Sequence, residues 1–138
     1  MQDNRPLYLT WIIAMSAMAG SLYFSEVLKL APCVLCWWQR ILIYPLVIIM
    51  PIGISNMDKK LHRYVLPLSI TGIAVASYHY LLTMKIIPES LAPCQAGVSC
   101  AENVISWFGF INIPLLSLAS FVLITLSMIY YSKIQTNE

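Results

Sequence analysis

Four long stretches without a charged side chain constrain this chain of 138 residues more than any motif in it. They run Leu7–Ser25, Ile41–Met57, Tyr64–Met84 and Asn103–Ser132. A helix rises about 1.5 Å per residue and needs roughly 20 residues to cross the hydrocarbon of a bilayer, so all four runs qualify, the second barely. The fourth exceeds one span. Asn103–Phe110, carrying Trp107, is expected to lie at the interface and Ile111–Tyr131 to form the helix. An isolated strand in lipid leaves its backbone groups unpaired, so Ile-, Leu- and Val-rich runs of this length are helices. Composition agrees: 59% of residues are hydrophobic and 10% charged, where a soluble domain carries about 25% charged residues. The expected fold is all-α, a single membrane-embedded four-helix bundle with spans near 7–25, 41–57, 64–84 and 111–131.

An even number of spans puts both termini on one side. Arg5, Lys59, Lys60, Arg63 and Lys133 lie with the termini and the central connection, whereas Lys29, Arg40 and Lys85 fall in the two other connections. The positive-inside bias therefore predicts cytoplasmic termini and two outward loops, around residues 26–40 and 85–110. A net charge of +2 with scattered basic residues excludes a nucleic-acid partner and leaves membrane lipid as the main surroundings. Ala17-Met18-Ala19 has the form of a signal-peptide cleavage site, but the apolar run continues through Leu22 and Phe24 to span length, and a retained helix is expected.

All four cysteines fall in the two outward loops, Cys33 and Cys36 in PCVLCWWQR, Cys94 and Cys100 in PCQAGVSCAE. Structural staples are one reading. Rings this short, however, remove only about 2 kcal/mol of unfolded-chain entropy each, and the bilayer already constrains the helices. A CxxC ring is of the kind that opens and closes by thiolate attack, so redox exchange is the favoured reading. A tetrahedral zinc site is a rival, set back by the CxxxxxC spacing of the second pair and by Arg40 beside the first. A c-type haem site is excluded, because Trp37 follows Cys36 where such a site needs His.

If the second helix starts after Pro32, Cys36 lies in its first turn, where unpaired amides favour a thiolate. Arg40 is one helical turn on and shares that face. It is either an interface arginine that snorkels, or the group that favours the thiolate and donates to a carbonyl of a bound lipophilic oxidant. The sequence carries no glycine-rich phosphate loop and no soluble cofactor fold, so electrons leaving the cysteines would suit a membrane-dissolved quinone, with Trp37 and Trp38 as lining or as interface anchors. His79 is a lone ionisable residue within the third run, about 7 Å from its outer end, and is either a functional group or a satisfied structural histidine.

These residues together resemble the DsbB family of bacterial disulfide bond formation proteins, especially its shorter BdbC-type members. The likeness covers nearly the whole chain. It rests on the four spans, on CVLCWWQR at 33–40, on His79 in SYHYLL, on CAE at 100–102 and on WFGFINIP at 107–114. It implies an oxidoreductase that passes electrons from an extracytoplasmic thioredoxin-fold thiol oxidase, of DsbA or BdbD type, to menaquinone or ubiquinone. Cys94 and Cys100 would meet that partner, Cys94 forming the mixed disulfide, and Cys100 would exchange with Cys33. Cys36 would face the quinone, with Arg40 polarising it and Trp37 and His79 beside it. Longer members have an extended segment between the second-loop cysteines, whereas this chain has five residues, so its sulfur relay is expected to be more compact. Two other readings stand beside this one: a metal-binding or metal-transport protein using the four outward thiols, and an enzyme like vitamin K epoxide reductase.

Overall fold

The structure, a computed structural model, describes residues 4–29, 34–88, 106–107 and 111–137. Helix α1 spans Arg5–Leu22 and continues as a π-turn over Tyr23–Val27. Helix α2 spans Val34–Ser55 and α3 His62–Thr83. The two-residue strands β1 (Ser106–Trp107) and β2 (Ile111–Asn112) pair antiparallel before α4, Ile113–Asn137. Arg5–Val27, α2, α3 and α4 are each long and apolar enough to cross a membrane.

The helices outrun the uncharged runs because a charge at an end does not stop a helix. Helix α2 starts at Val34 and not near Ile41, which brings Cys36, Trp37, Gln39 and Arg40 onto it. Helix α4 begins at Ile113, since Ile111 and Asn112 belong to the ladder, and runs past Lys133 to Asn137. The segment read from sequence as interfacial is therefore partly a β-ladder at Ser106–Trp107. Its remainder, residues 103–105 and 108–110, lies outside the described residues. Prolines do not break the spans either: Pro45 and Pro51 lie inside α2 and Pro67 inside α3. Thr71 Oγ1 donates to the Pro67 carbonyl at 2.8 Å, keeping its hydroxyl satisfied within the helix.

Helices α2 and α3 end alike. Met57 and Lys85 sit in the left-handed region, at φ of 51° and 60°. Asp58 N–H reaches back to Gly53 O and Met57 N–H to Ile54 O, while Ile86 N–H reaches Leu81 O and Lys85 N–H reaches Leu82 O. Both are Schellman closures made without glycine, and they satisfy last-turn carbonyls that have no helical partner.

Each helix packs against two neighbours, α1 on α2 and α4, and α3 on α2 and α4. The pairing is antiparallel throughout. Trp11 Nε1 donates to Val47 O, whereas Arg40 reaches Ser21; Gly72 meets Phe121, whereas the His62 ring meets the Tyr131 ring at 6.4 Å. Leu7, Leu46, Met50, Val65, Phe121, Ile124 and Met128 form the shared core. The Arg5 end, the 56–61 connection and the Asn137 end thus gather at one end of the bundle, and Ser21, Cys36, Arg40 and His79 at the other.

Candidate functional site

At that second end α2 presents two different faces. One turns toward α1. Arg40, only 9% exposed, donates from Nε to Ser21 Oγ at 2.7 Å and from Nη2 to the Ser21 carbonyl at 2.9 Å. Its guanidinium carbon lies 5.3 Å from the Trp37 ring centroid. The charge is thus held by two oxygens and an aromatic face, which is how a guanidinium is accommodated at the edge of hydrocarbon. Ser21 sits just before the π-turn, and its carbonyl also accepts from Ser25 Oγ at 3.2 Å. Extra turns of this kind re-aim helix groups and recur at functional sites.

The other face turns toward α3. Gln39 (7% exposed) and His79 (4%) meet there, with Gln39 Nε2 3.0 Å from His79 Nδ1. Thr83 Oγ1 donates to the His79 carbonyl at 2.9 Å. Leu35 and Leu82 form a small buried cluster beside this pair, with Cys36, Val75, Tyr78 and Ile87 packed against it. Next to it an open, almost wholly apolar groove of about 310 Å³ is lined by Leu35, Trp38, Ala74, Val75 and Tyr78.

Of the residues singled out in the sequence, Cys36, Trp37, Arg40 and His79 are brought to one end of the bundle. Cys36 is half-buried, the third residue of α2 as described from Val34. The two tryptophans part company: Trp37 lies under Arg40 on the α1 side, and Trp38 lines the groove on the α3 side. Cys33, Cys94 and Cys100 lie outside the described residues.

Ser21 and Gln39 were not singled out beforehand. Gln39 carried no readable signal, because it precedes the uncharged run from Ile41 and so belongs by sequence to the outward loop, where an amide needs no buried partner. Ser21 carried none, since only the packing of α1 on α2 reveals what it faces. The walls of the groove are carbon-rich, and Cys36 packs against the Leu35–Leu82 cluster, of which Leu35 is one wall.

A family model described as disulfide bond formation protein DsbB matches residues 3–131. The chain is 48% identical over 122 residues to disulfide bond formation protein C of Bacillus subtilis (strain 168), covering 88% of each. It is 40% identical over 131 residues to probable disulfide formation protein C 2 of Bacillus cereus, covering 94% of this chain and 93% of that one. Probable disulfide formation protein of Metapseudomonas resinovorans is 40% identical over 124 residues, 89% of this chain and 86% of its own. No solved structure matches the chain. Since the match runs through all four helices and extends over most of each relative, this chain belongs to the DsbB family of disulfide bond formation proteins.

Proposed function

We propose that this protein reoxidises an extracytoplasmic thioredoxin-fold thiol oxidase of DsbA or BdbD type and delivers the electrons to a membrane quinone. As a member of its family it acts in disulfide bond formation and is an oxidoreductase. The observation that supports the finer reading is that Cys36 packs against the Leu35–Leu82 cluster, whose Leu35 also lines an apolar groove, with the buried Arg40 one helical turn further along α2.

In the relay, a thiolate of the reduced partner attacks the Cys94–Cys100 disulfide at Cys94, and Cys100 leaves as a thiolate. The partner's second thiolate then attacks the mixed disulfide, which oxidises the partner and leaves Cys94 and Cys100 reduced. Cys100 attacks the Cys33–Cys36 disulfide at Cys33 and expels Cys36. Cys94 closes on Cys100 and frees Cys33, so two electrons now reside on the Cys33–Cys36 pair. A quinone, when bound, would supply the two-electron, two-proton sink that lets Cys33 and Cys36 rejoin as a disulfide. The chain's own residues set the stage for that last event. Helix α2 holds Cys36 near its amino end, where unpaired amides favour a thiolate, and Arg40 adds a fixed positive charge one turn on. Leu35, Trp38, Val75 and Tyr78 would hold the ring and exclude water, with His79 as the nearby proton-handling group.

The test is anaerobic mixing of the purified protein with quinone and a reduced thioredoxin-fold oxidase, following quinol by absorbance. Quinol should form in step with oxidation of the partner. Cys36→Ser should abolish quinol formation, at least a thousandfold below wild type, as loss of an essential nucleophile does, while a mixed disulfide with the partner still forms. Normal turnover by Cys36→Ser overturns the assignment.

A further inference from the structure

We propose that Ser21 is a positioning residue for Arg40, a neutral anchor that fixes the guanidinium on the cysteine-bearing end of α2 without cancelling its charge. The link to turnover rests on the reading above; the anchoring does not.

Arg40 is almost fully buried where α2 meets α1, and a guanidinium in that setting is ordinarily matched by a carboxylate. Here its partners among the described residues are the Ser21 hydroxyl at 2.7 Å from Nε, the Ser21 carbonyl at 2.9 Å from Nη2 and the face of Trp37. Glu26, the carboxylate in the π-turn, is exposed. A hydroxyl and a carbonyl satisfy N–H donors but carry no net charge. The positive field of Arg40 therefore survives its burial and acts one helical turn from Cys36.

The π-turn is the second observation. Within a regular α-helix a carbonyl is committed to the amide four residues on. Ser21 stands just before the π-turn at Tyr23–Val27, where that register changes, and its carbonyl takes two side-chain donors, Arg40 Nη2 and Ser25 Oγ. Such turns are uncommon and recur at functional sites. The two oxygens belong to one residue, so a single backbone position sets both. They take the Nε and Nη2 edge of the planar guanidinium as a pair, which leaves its Nη1 side turned away from Ser21.

The experiment uses the full chain in lipid nanodiscs with nitrogen-15 arginine, assigns the Arg40 side chain by its loss in Arg40→Lys, and follows exchange of its Nε–H with solvent. Ser21→Ala removes the acceptor of that hydrogen while the carbonyl and Trp37 still hold the group, and exchange should quicken about fivefold, the equivalent of one hydrogen bond. Ser21→Asn and Ser21→Asp share a shape and both offer an oxygen, so both should keep exchange as slow as in wild type. They differ in charge. Quinol formation should be roughly tenfold slower in Ser21→Asp than in Ser21→Asn, with KM for the partner unchanged, a split that a purely structural anchor would not give. Ser25→Ala, which loses another donor to the same carbonyl, should leave both readouts within about twofold of wild type. Unchanged exchange in a folded Ser21→Ala protein, equal quinol formation in the Asn and Asp variants, or a Ser25→Ala effect as large as that of Ser21→Ala overturns the proposal. The exchange measurement in Ser21→Ala decides the anchoring whether or not Ser21→Asp folds. Exchange that responds as expected in a protein that forms no quinol upholds the anchor and sinks the quinone reading.

Discussion

At the scale of single residues Arg40 shows how one guanidinium is held among apolar helices. Arg40 donates from Nε and Nη2 to two oxygens of one residue, Ser21, and lies against Trp37. A lysine carries the same charge but cannot offer two fixed donors and a flat face together. Arg40→Lys is therefore expected to leave the helices intact and to lower stability by about 1–2 kcal/mol, one charged hydrogen bond and part of a stacking contact, read as a reduced thermal midpoint in detergent. Ser21→Ala should cost about 1 kcal/mol by removing only the hydroxyl acceptor. The two losses should fall short of additive when combined, since they share a contact; full additivity would mean that the bond contributes nothing. From the sequence, the place of Arg40 one helical turn after Cys36 was legible in CVLCWWQR, and α2 carries both residues. What it grips was not, because Ser21 is nineteen positions away on another helix, and spacing along one helix carries no information about the neighbour across the gap.

At the scale of elements the close contacts are made by glycine. A Cβ built on Gly72 would overlap the Phe121 ring, which is 1% exposed and enclosed by the core, and one on Gly53 would overlap Leu61. On Gly20 it would meet nothing within 4 Å. All three lie in helices, where exchanging Gly for Ala gains about 1 kcal/mol of intrinsic propensity. Gly72→Ala must nevertheless push Phe121 out of its place between α3 and α4, a cost of about 1–3 kcal/mol that should cancel or exceed the gain. Gly20→Ala should keep it. Thermal unfolding of the two variants side by side checks this: a rise in midpoint for Gly72→Ala equal to that for Gly20→Ala would show that Phe121 yields freely. The same scale shows what the sequence could and could not tell. Four helices were legible because long apolar runs leave lipid-facing backbone no other solution. Their ends were not, since Arg40 and Lys133 are accommodated within helices and Met57 and Lys85 close helices without the glycine that usually marks such a stop. The pairing of Ser106–Trp107 with Ile111–Asn112 has too few residues to show a strand period.

At the scale of the whole molecule, antiparallel packing sorts the ionisable groups into two populations. Lys59, Lys60, Arg63 and Lys133 sit with the His62–Tyr131 contact at one end, whereas Cys36, Arg40 and His79 share the other. A bilayer crossed by these helices separates the two ends, and we propose that the basic end is the cytoplasmic one, because moving several Lys and Arg across is costly. The thiol-bearing end would then face the oxidising side, where disulfides persist. This orientation yields a prediction in intact cells. After mild reduction, a membrane-impermeant maleimide added from outside should modify Cys94 and Cys100. In a Lys59→Cys variant, the introduced thiol should stay unmodified until the cells are permeabilised. The reverse pattern, with Lys59→Cys labelled in intact cells and the native loop thiols protected, would put the reactive end in a reducing compartment. There glutathione would hold both pairs open and the relay to a quinone would have no disulfide to start from. In the proposed orientation, the sorting of charge between the two ends, and no single site residue, would decide which redox compartment the sulfur chemistry meets.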